Sequence, residues 1–212
     1  MLHGDHRSRV YHRAVRLVLA SRSPRRSHLL REAGYDFDVI PADVDERRLP
    51  GESPRGYVLR LARAKAATVV SGALAEADGK AVVAADTIVV VDGDVLGKPA
   101  DRRESAVMLG RLAGRTHEVL TGLAVIAGGQ TVEAVETTCV SFVPLDPDRI
   151  AWYVATGEGD DKAGAYAAQG LGSRFVERIE GSYTNVVGLP VARLEALLHE
   201  LAETVFHLRG SR

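Results

Sequence analysis

The stretch from Lys80 to Pro99, KAVVAADTIVVVDGDVLGKP, sets Asp86 and Thr87 inside an otherwise apolar run. Ala81–Ala85 and Ile88–Val91 read as a strand buried on both faces. Aspartate is depleted in strands, and a buried carboxylate needs a partner, hydrogen bonds or a metal. Such breaks in local consistency cluster at functional sites. Asp92-Gly93 is a turn that folds the strand back as a hairpin. The return strand, Val95-Leu96, delivers Gly97-Lys98-Pro99, so Lys98 is expected near Asp86. The pair is either part of a site or a structural ion pair closing the hairpin.

Three further clusters carry chemistry. A short strand, Arg16–Ala20, runs into Ser21-Arg22-Ser23-Pro24-Arg25-Arg26 and a helical pattern that Gly34 ends. Ser23 suits the N-cap and Pro24 the first helical position. A helix N-terminus favours an anion. Cations in its first turn oppose the helix dipole, so Arg25 and Arg26 make more sense beside a polyanion than as solvated surface residues. Glu46 sits in an acidic-then-basic turn, Asp43–Arg48. Lys65 lies among alanines on a predicted helix, Pro54–Ser71, where it either snorkels outward or faces a site. The segment Asp161–Gly172, DKAGAYAAQGLG, is rich in small residues that allow close approach to a flat ligand. There Gln169 can read a base edge, unless it is a solvated loop residue.

Together these groups suit one chemistry. Arginines at a helix N-terminus would hold phosphate. Glu46 and Asp86 would hold a hard cation such as Mg²⁺, which prefers oxygen ligands and phosphates. Lys65 and Lys98 would neutralise charge. The inventory fits water attacking a nucleotide phosphate. The sequence holds neither G-x-x-x-x-G-K-[ST] nor G-x-G-x-x-G, and no H-E-x-x-H or G-x-S-x-G.

The elements that must position these residues follow from periodicity. Tyr35–Pro41 is a second strand, and Asp101 caps a helix through Ala113. His117–Ala127 and Gln130–Val143 form an antiparallel hairpin about Gly128-Gly129. Asp146-Pro147 starts a helix through Ala155. Arg174–Glu180 and Tyr183–Val187 read as two short strands, and Val191, Leu194, Leu197, Leu198, Leu201 and Val205 as a terminal amphipathic helix. This order predicts an α/β fold, a mixed sheet with flanking helices. Residues 1–13, polar and rich in Arg and His, read as a flexible tail, and residues 14–208 as a single domain.

Bulk properties place the chain among ordinary soluble globular proteins. The 212 residues carry a formal net charge of -1, with 46% hydrophobic and 26% charged content. No global basic field calls for nucleic acid or a membrane surface, and no apolar run is long enough to span a bilayer. A cytoplasmic location is the default expectation. The single cysteine, Cys139, excludes an internal disulfide and reads as a buried, inert thiol.

In this order and spacing the clusters resemble the Maf family of nucleoside triphosphate pyrophosphatases. The matching pieces are ASRSPRR at 20–26, Asp45-Glu46, LARAKA at 61–66, Ala85-Asp86-Thr87, Gly97-Lys98-Pro99, DKAGAY at 161–166, QGLG at 169–172 and VGLP at 187–190. The resemblance implies an elongated mixed sheet with a central cleft, similar to inosine triphosphate pyrophosphatases. It implies hydrolysis between the α- and β-phosphates with Mg²⁺ or Mn²⁺, and often a homodimer. By position Asp86 would be the general base, Glu46 would share the metal, and Lys65 and Lys98 would hold phosphates. Ser21, Ser23, Arg25 and Lys162 would join the substrate site. Arg26, Thr87 and Gln169 fall where the family sets base preference, and the trio looks like the branch that hydrolyses dTTP and UTP. Two departures, Gly159-Asp160 and Ala167-Ala168, bear on loop rigidity. A second reading, suggested by the family's association with septum formation, is a nucleotide-sensing or partner-binding factor in cell-division control.

Overall fold

A computed structural model describes residues 16–72 and 80–210, with side chains described up to 204. The predicted tail at 1–13 lies outside the described residues. The strands are β1 (Arg16–Leu19), β2 (Phe37–Val39), β3 (Lys80–Val91), β4 (Asp94–Leu96), β5 (Thr116–Ala127), β6 (Gln130–Phe142) and β7 (Val176–Glu180). The helices are α1 (Pro24–Glu32), α2 (Pro54–Ser71), α3 (Arg102–Leu112), α4 (Pro147–Thr156), α5 (Tyr183–Val187) and α6 (Val191–Gly210), with short 3₁₀ turns at Ala163–Ala165 and Gly170–Phe175. The α/β expectation of a mixed sheet with flanking helices therefore holds.

The sheet order is β2-β1-β3-β5-β6-β7, with β4 also on β3. The β1 pairings are parallel, and β3 pairs antiparallel with β4 and β5. One edge of β3 is taken by β5 from Val82 to Val90. The other edge is shared: β1 ends opposite Val83, and antiparallel β4 begins opposite Val91 and ends opposite Val89. Between them the strand edge carrying Asp86 and Thr87 has no neighbouring strand among the described residues. This split opens a crevice in the middle of the sheet.

Alternation along β3 sends successive side chains to opposite faces. Val82, Ala84, Ile88 and Val90 pack on the α2 side, with Ala62, Ala66 and Val58. Val83 and Ala85 pack with Leu29 and Leu30 of α1 and Leu194 and Leu197 of α6. Val89 and Val91 pack with Leu109 and Leu112 of α3, Tyr153 of α4 and Tyr166. Asp86 consequently faces α2, and Thr87 faces α1 and the loop after α4.

Local signals set most boundaries. Asp101 and Asp146 cap α3 and α4 through their side chains, accepting from Glu104 N and Arg149 N. Ser53 caps α2 in the same way. One expectation fails: Tyr183–Val187 is the short helix α5, not a strand. Ser182 Oγ accepts from Asn185 N, and buried Asn185 donates to Val119 O and Thr138 Oγ1. The cap and these tertiary bonds override the strand preference of YTNVV. Arg174 and Phe175 likewise belong to the preceding 3₁₀ turn, the β2 strand is shorter than read, and Cys139 is half-buried rather than buried.

Candidate active site

Asp86 and Lys65 are both only 8% exposed, and Lys65 Nζ lies 2.6 Å from Asp86 Oδ1. The same nitrogen lies 2.6 Å from Glu46 Oε1. Lys65 therefore faces the site, bridging the two carboxylates. Helix α2 reaches Asp86 because Gly122, cross-strand partner of Asp86, lets the helix backbone approach. A Cβ on Gly122 would stand 2.4 Å from Val58 O. Val58 and Lys65 are two helical turns apart and so share that face. Tyr57 holds the Glu46 segment, its hydroxyl donating to Glu46 O at 2.6 Å.

Burial raises the Asp86 carboxyl above its ordinary range, against the opposing pull of Lys65 and Arg26, and Glu46 adds to the rise. Glu46 goes the other way: burial lifts it, but the Lys65 hydrogen bond and the charges of Lys65, Lys98 and Arg26 outweigh that and leave it lowered. Two adjacent carboxyls are thus pushed apart in acidity, a pattern typical of sites that handle protons.

On the opposite face Arg26 is fixed three ways. Its Nε donates to Gly188 O at 2.8 Å, Nη1 to Ser21 Oγ at 3.1 Å and Nη2 to Thr87 Oγ1 at 3.1 Å. Thr87 Oγ1 also meets Thr121 Oγ1 at 2.9 Å. Burial depresses the guanidinium pKa while the Asp86 charge supports it; the group stays cationic. Ser23 stands at the N-cap of α1, but its side chain makes no cap bond. Its N–H donates to Ser21 Oγ at 3.2 Å.

The two faces meet in one cleft of about 250 Å³ through the open edge of β3. Ser23, Arg25, Arg26, Glu46, Lys65, Asp86, Thr87, Lys98, Lys162 and Gln169 all line it. Ser21 does not; it is buried behind Arg26. The hairpin brings Lys98 to the cleft as expected, with its charge acting on Glu46, but the direct partner of Asp86 is Lys65. Across the mouth, Asp161 pairs with Arg25 at 3.3 Å and Lys162 at 2.5 Å. Tyr57, Gly188 and Thr121 were missed in the sequence. Gly188 lies in the matching VGLP segment, which marked a place but no role, and Tyr57 and Thr121 carry no local signal.

Among the described residues no group of three or more His, Cys, Asp and Glu converges. Glu46 and Asp86, each 2.6 Å from Lys65 Nζ, are the adjacent carboxylates that could share a cation. That sparse set fits Mg²⁺ or Mn²⁺ better than a zinc site, because Mg²⁺ is commonly held by one or two carboxylates plus substrate phosphates.

This chain is similar to known proteins over most of its length. A relative from Anaeromyxobacter dehalogenans (strain 2CP-C), named dTTP/UTP pyrophosphatase, is 54% identical over 189 residues, covering 87% of this chain and 93% of its own. One from Symbiobacterium thermophilum, with the same name, is 50% identical over 190 residues, covering 90% and 96%. The solved nucleoside-triphosphatase / dITP/XTP pyrophosphatase of Mycobacterium abscessus covers 92% of this chain and 97% of its own at 17% identity and a TM-score of 0.41. The family profile described as Maf-like protein matches residues 16–201, and the chain belongs to the Maf family.

Proposed function

We propose that this protein hydrolyses nucleoside triphosphates, dTTP and UTP foremost, to the nucleoside monophosphate and pyrophosphate. The observation that carries the reading is the split edge of β3. It brings a carboxylate–lysine cluster from one face and an arginine–threonine–glutamine set from the other into one cleft. Relatives at about half identity bear the name dTTP/UTP pyrophosphatase, which supports the reading.

Asp86 is the general base. Its carboxylate, kept from solvent and steadied by Lys65, takes the proton from the attacking water. Arg25, Lys98 and Lys162 face the triphosphate, and the three N–H donors of Lys65 can serve both carboxylates and a phosphate oxygen. Glu46 and Asp86 would hold a divalent cation, which when bound would neutralise phosphate charge and polarise the phosphoryl oxygens. Thr87 and Arg26 wall the base pocket, and Gln169 pairs with the O4 and N3–H edge of uracil or thymine. A flipped amide also accommodates cytosine, so CTP and modified pyrimidine nucleotides are secondary substrates. Among the described residues no helix is long and apolar enough to cross a membrane. A cytoplasmic homodimer using Mg²⁺ or Mn²⁺ completes the proposal.

The test is a panel of dTTP, UTP, CTP and GTP with Mg²⁺, with products identified. Pyrophosphate and monophosphate in equal amounts are expected, with dTTP and UTP turned over fastest. Orthophosphate alone would reject cleavage between the α- and β-phosphates.

A further inference from the structure

Outside the cleft, one carboxylate gathers an unusual number of donors. Glu158 follows the left-handed cap of α4 at Gly157. Its Oε1 accepts from Leu171 N at 2.9 Å, and its Oε2 accepts from Gly172 N at 2.9 Å and from Tyr153 Oη at 2.8 Å. Tyr153 Oη in turn accepts from Ala167 N at 3.0 Å. The three backbone N–H groups belong to residues that straddle Gln169. Ala167 lies two positions before it, and Leu171 and Gly172 two and three after. Neither Glu158 nor Tyr153 lines the cleft.

The fit around this clamp is tight. A Cβ on Gly172 would stand 2.3 Å from Ala167 O and 3.0 Å from the Tyr153 hydroxyl. Tyr153 is itself 1% exposed, packed against Phe175 at a ring separation of 5.0 Å. Burial pushes the Glu158 carboxyl up, but the Leu171 and Gly172 N–H groups, the Tyr153 hydroxyl and the charge of Lys162 prevail and hold it below the ordinary glutamate value. Hydrogen bonds to an ionised acceptor are about twice as strong as neutral ones. The Gln169 side chain, by contrast, bonds no other described residue and is left available at the cleft wall.

We propose that Glu158 and Tyr153 are positioning residues for base selection. They fix the loop that presents Gln169, so the amide meets a pyrimidine edge in one orientation. The proposal rests on the reading that Gln169 recognises the base. Without the clamp, the loop relaxes and the amide samples several orientations, so discrimination falls while water activation and the phosphate contacts of Arg25, Lys65 and Lys98, which lie outside the loop, persist.

Kinetics of the full chain with Mg²⁺ and dTTP, UTP, CTP or GTP test this on Glu158→Gln, Tyr153→Phe, Gln169→Ala and the Glu158→Gln/Gln169→Ala double variant. Glu158→Gln is expected to lower the kcat/KM ratio of UTP over GTP by about tenfold, mostly through KM for UTP, since tenfold corresponds to the loss of about one good hydrogen bond. Tyr153→Phe keeps the packing and is expected to move the ratio in the same direction by less. The double variant should discriminate no worse than Gln169→Ala alone. Equal loss of kcat on all four nucleotides would overturn the proposal, as would additive losses of discrimination. Gln169→Ala with an unchanged ratio would overturn the base-recognition reading itself. A changed ratio there with unchanged Glu158→Gln and Tyr153→Phe would overturn only the positioning role. Should Glu158→Gln fail to fold by circular dichroism, Tyr153→Phe decides the matter by the same ratio.

Discussion

Asp86 and Gly122 face each other in register across β3 and β5, on the side of the sheet that α2 covers. The glycine is what allows the helix to deliver Lys65 to the aspartate. We expect Gly122→Ala to force α2 away, because the new methyl would overlap Val58 O. Overpacking of this kind costs about 1–3 kcal/mol. The shift also misplaces Lys65 and Tyr57, and a displacement near 1 Å can cost roughly 10²-fold in rate. Thermal unfolding and pyrophosphate release check both effects. Wild-type turnover in this variant would separate the helix approach from the chemistry.

Asp86→Asn is expected to keep the fold and lose turnover by roughly 10²–10⁴-fold, the usual contribution of a general base. The pH dependence gives a second reading. A base must be deprotonated to act, and burial raises this carboxyl above its ordinary range. The acid limb of kcat/KM belongs to this carboxyl, which burial pushes up and a bound cation would pull down. In Asp86→Asn the residual rate should lose that limb. A limb that persists unchanged would assign the base elsewhere.

Lys65 opposes the burial that raises Asp86. Removing its charge in Lys65→Met leaves burial and Glu46 to act unopposed from that side. The acid limb should then move to higher pH, while Glu46, which Lys65 holds down, rises with it. Profiles of kcat/KM against pH for the two proteins measure the displacement. A shift to lower pH would contradict the assignment of Lys65 as the partner that steadies the ionised base.

What was legible in the sequence was local. Asp86 betrayed itself by interrupting an apolar strand, and Asp92-Gly93 marked the hairpin that carries Lys98 to the cleft. The caps at Asp101 and Asp146 fixed helix starts because their partners are three residues away. The open edge of β3 was not legible, since it depends on where β1 and β4 each stop along it. Helix α5 was misread because the bonds that hold Asn185 reach Val119 and Thr138, far away in the chain. Glu158 carried no signal for a related reason. Its partners are backbone N–H groups 13 and 14 residues on, and any residue type supplies those.

A last prediction concerns stability in acid. His117 is 2% exposed, its Nε2 lies 2.8 Å from Tyr166 Oη, and its ring stands edge-on to Phe142. Burial lowers its pKa from 6.5 to about 4. The unfolded chain therefore takes up a proton between those values that the folded protein refuses. The stability due to the neutral ring is fully present above pH 6.5 and is lost as pH falls towards 4. At 1.36 kcal/mol per unit this is a loss of roughly 3 kcal/mol. His117→Gln keeps a hydrogen-bonding group for Tyr166 and has no titration in this window. Chemical denaturation at pH 7 and at pH 4 should show the wild type losing about 2–3 kcal/mol more than the variant, whatever their absolute stabilities. Tyr166 lines the cleft, so the same protonation is expected to loosen that wall. Equal losses in the two proteins would mean that the buried imidazole does not govern the acid transition.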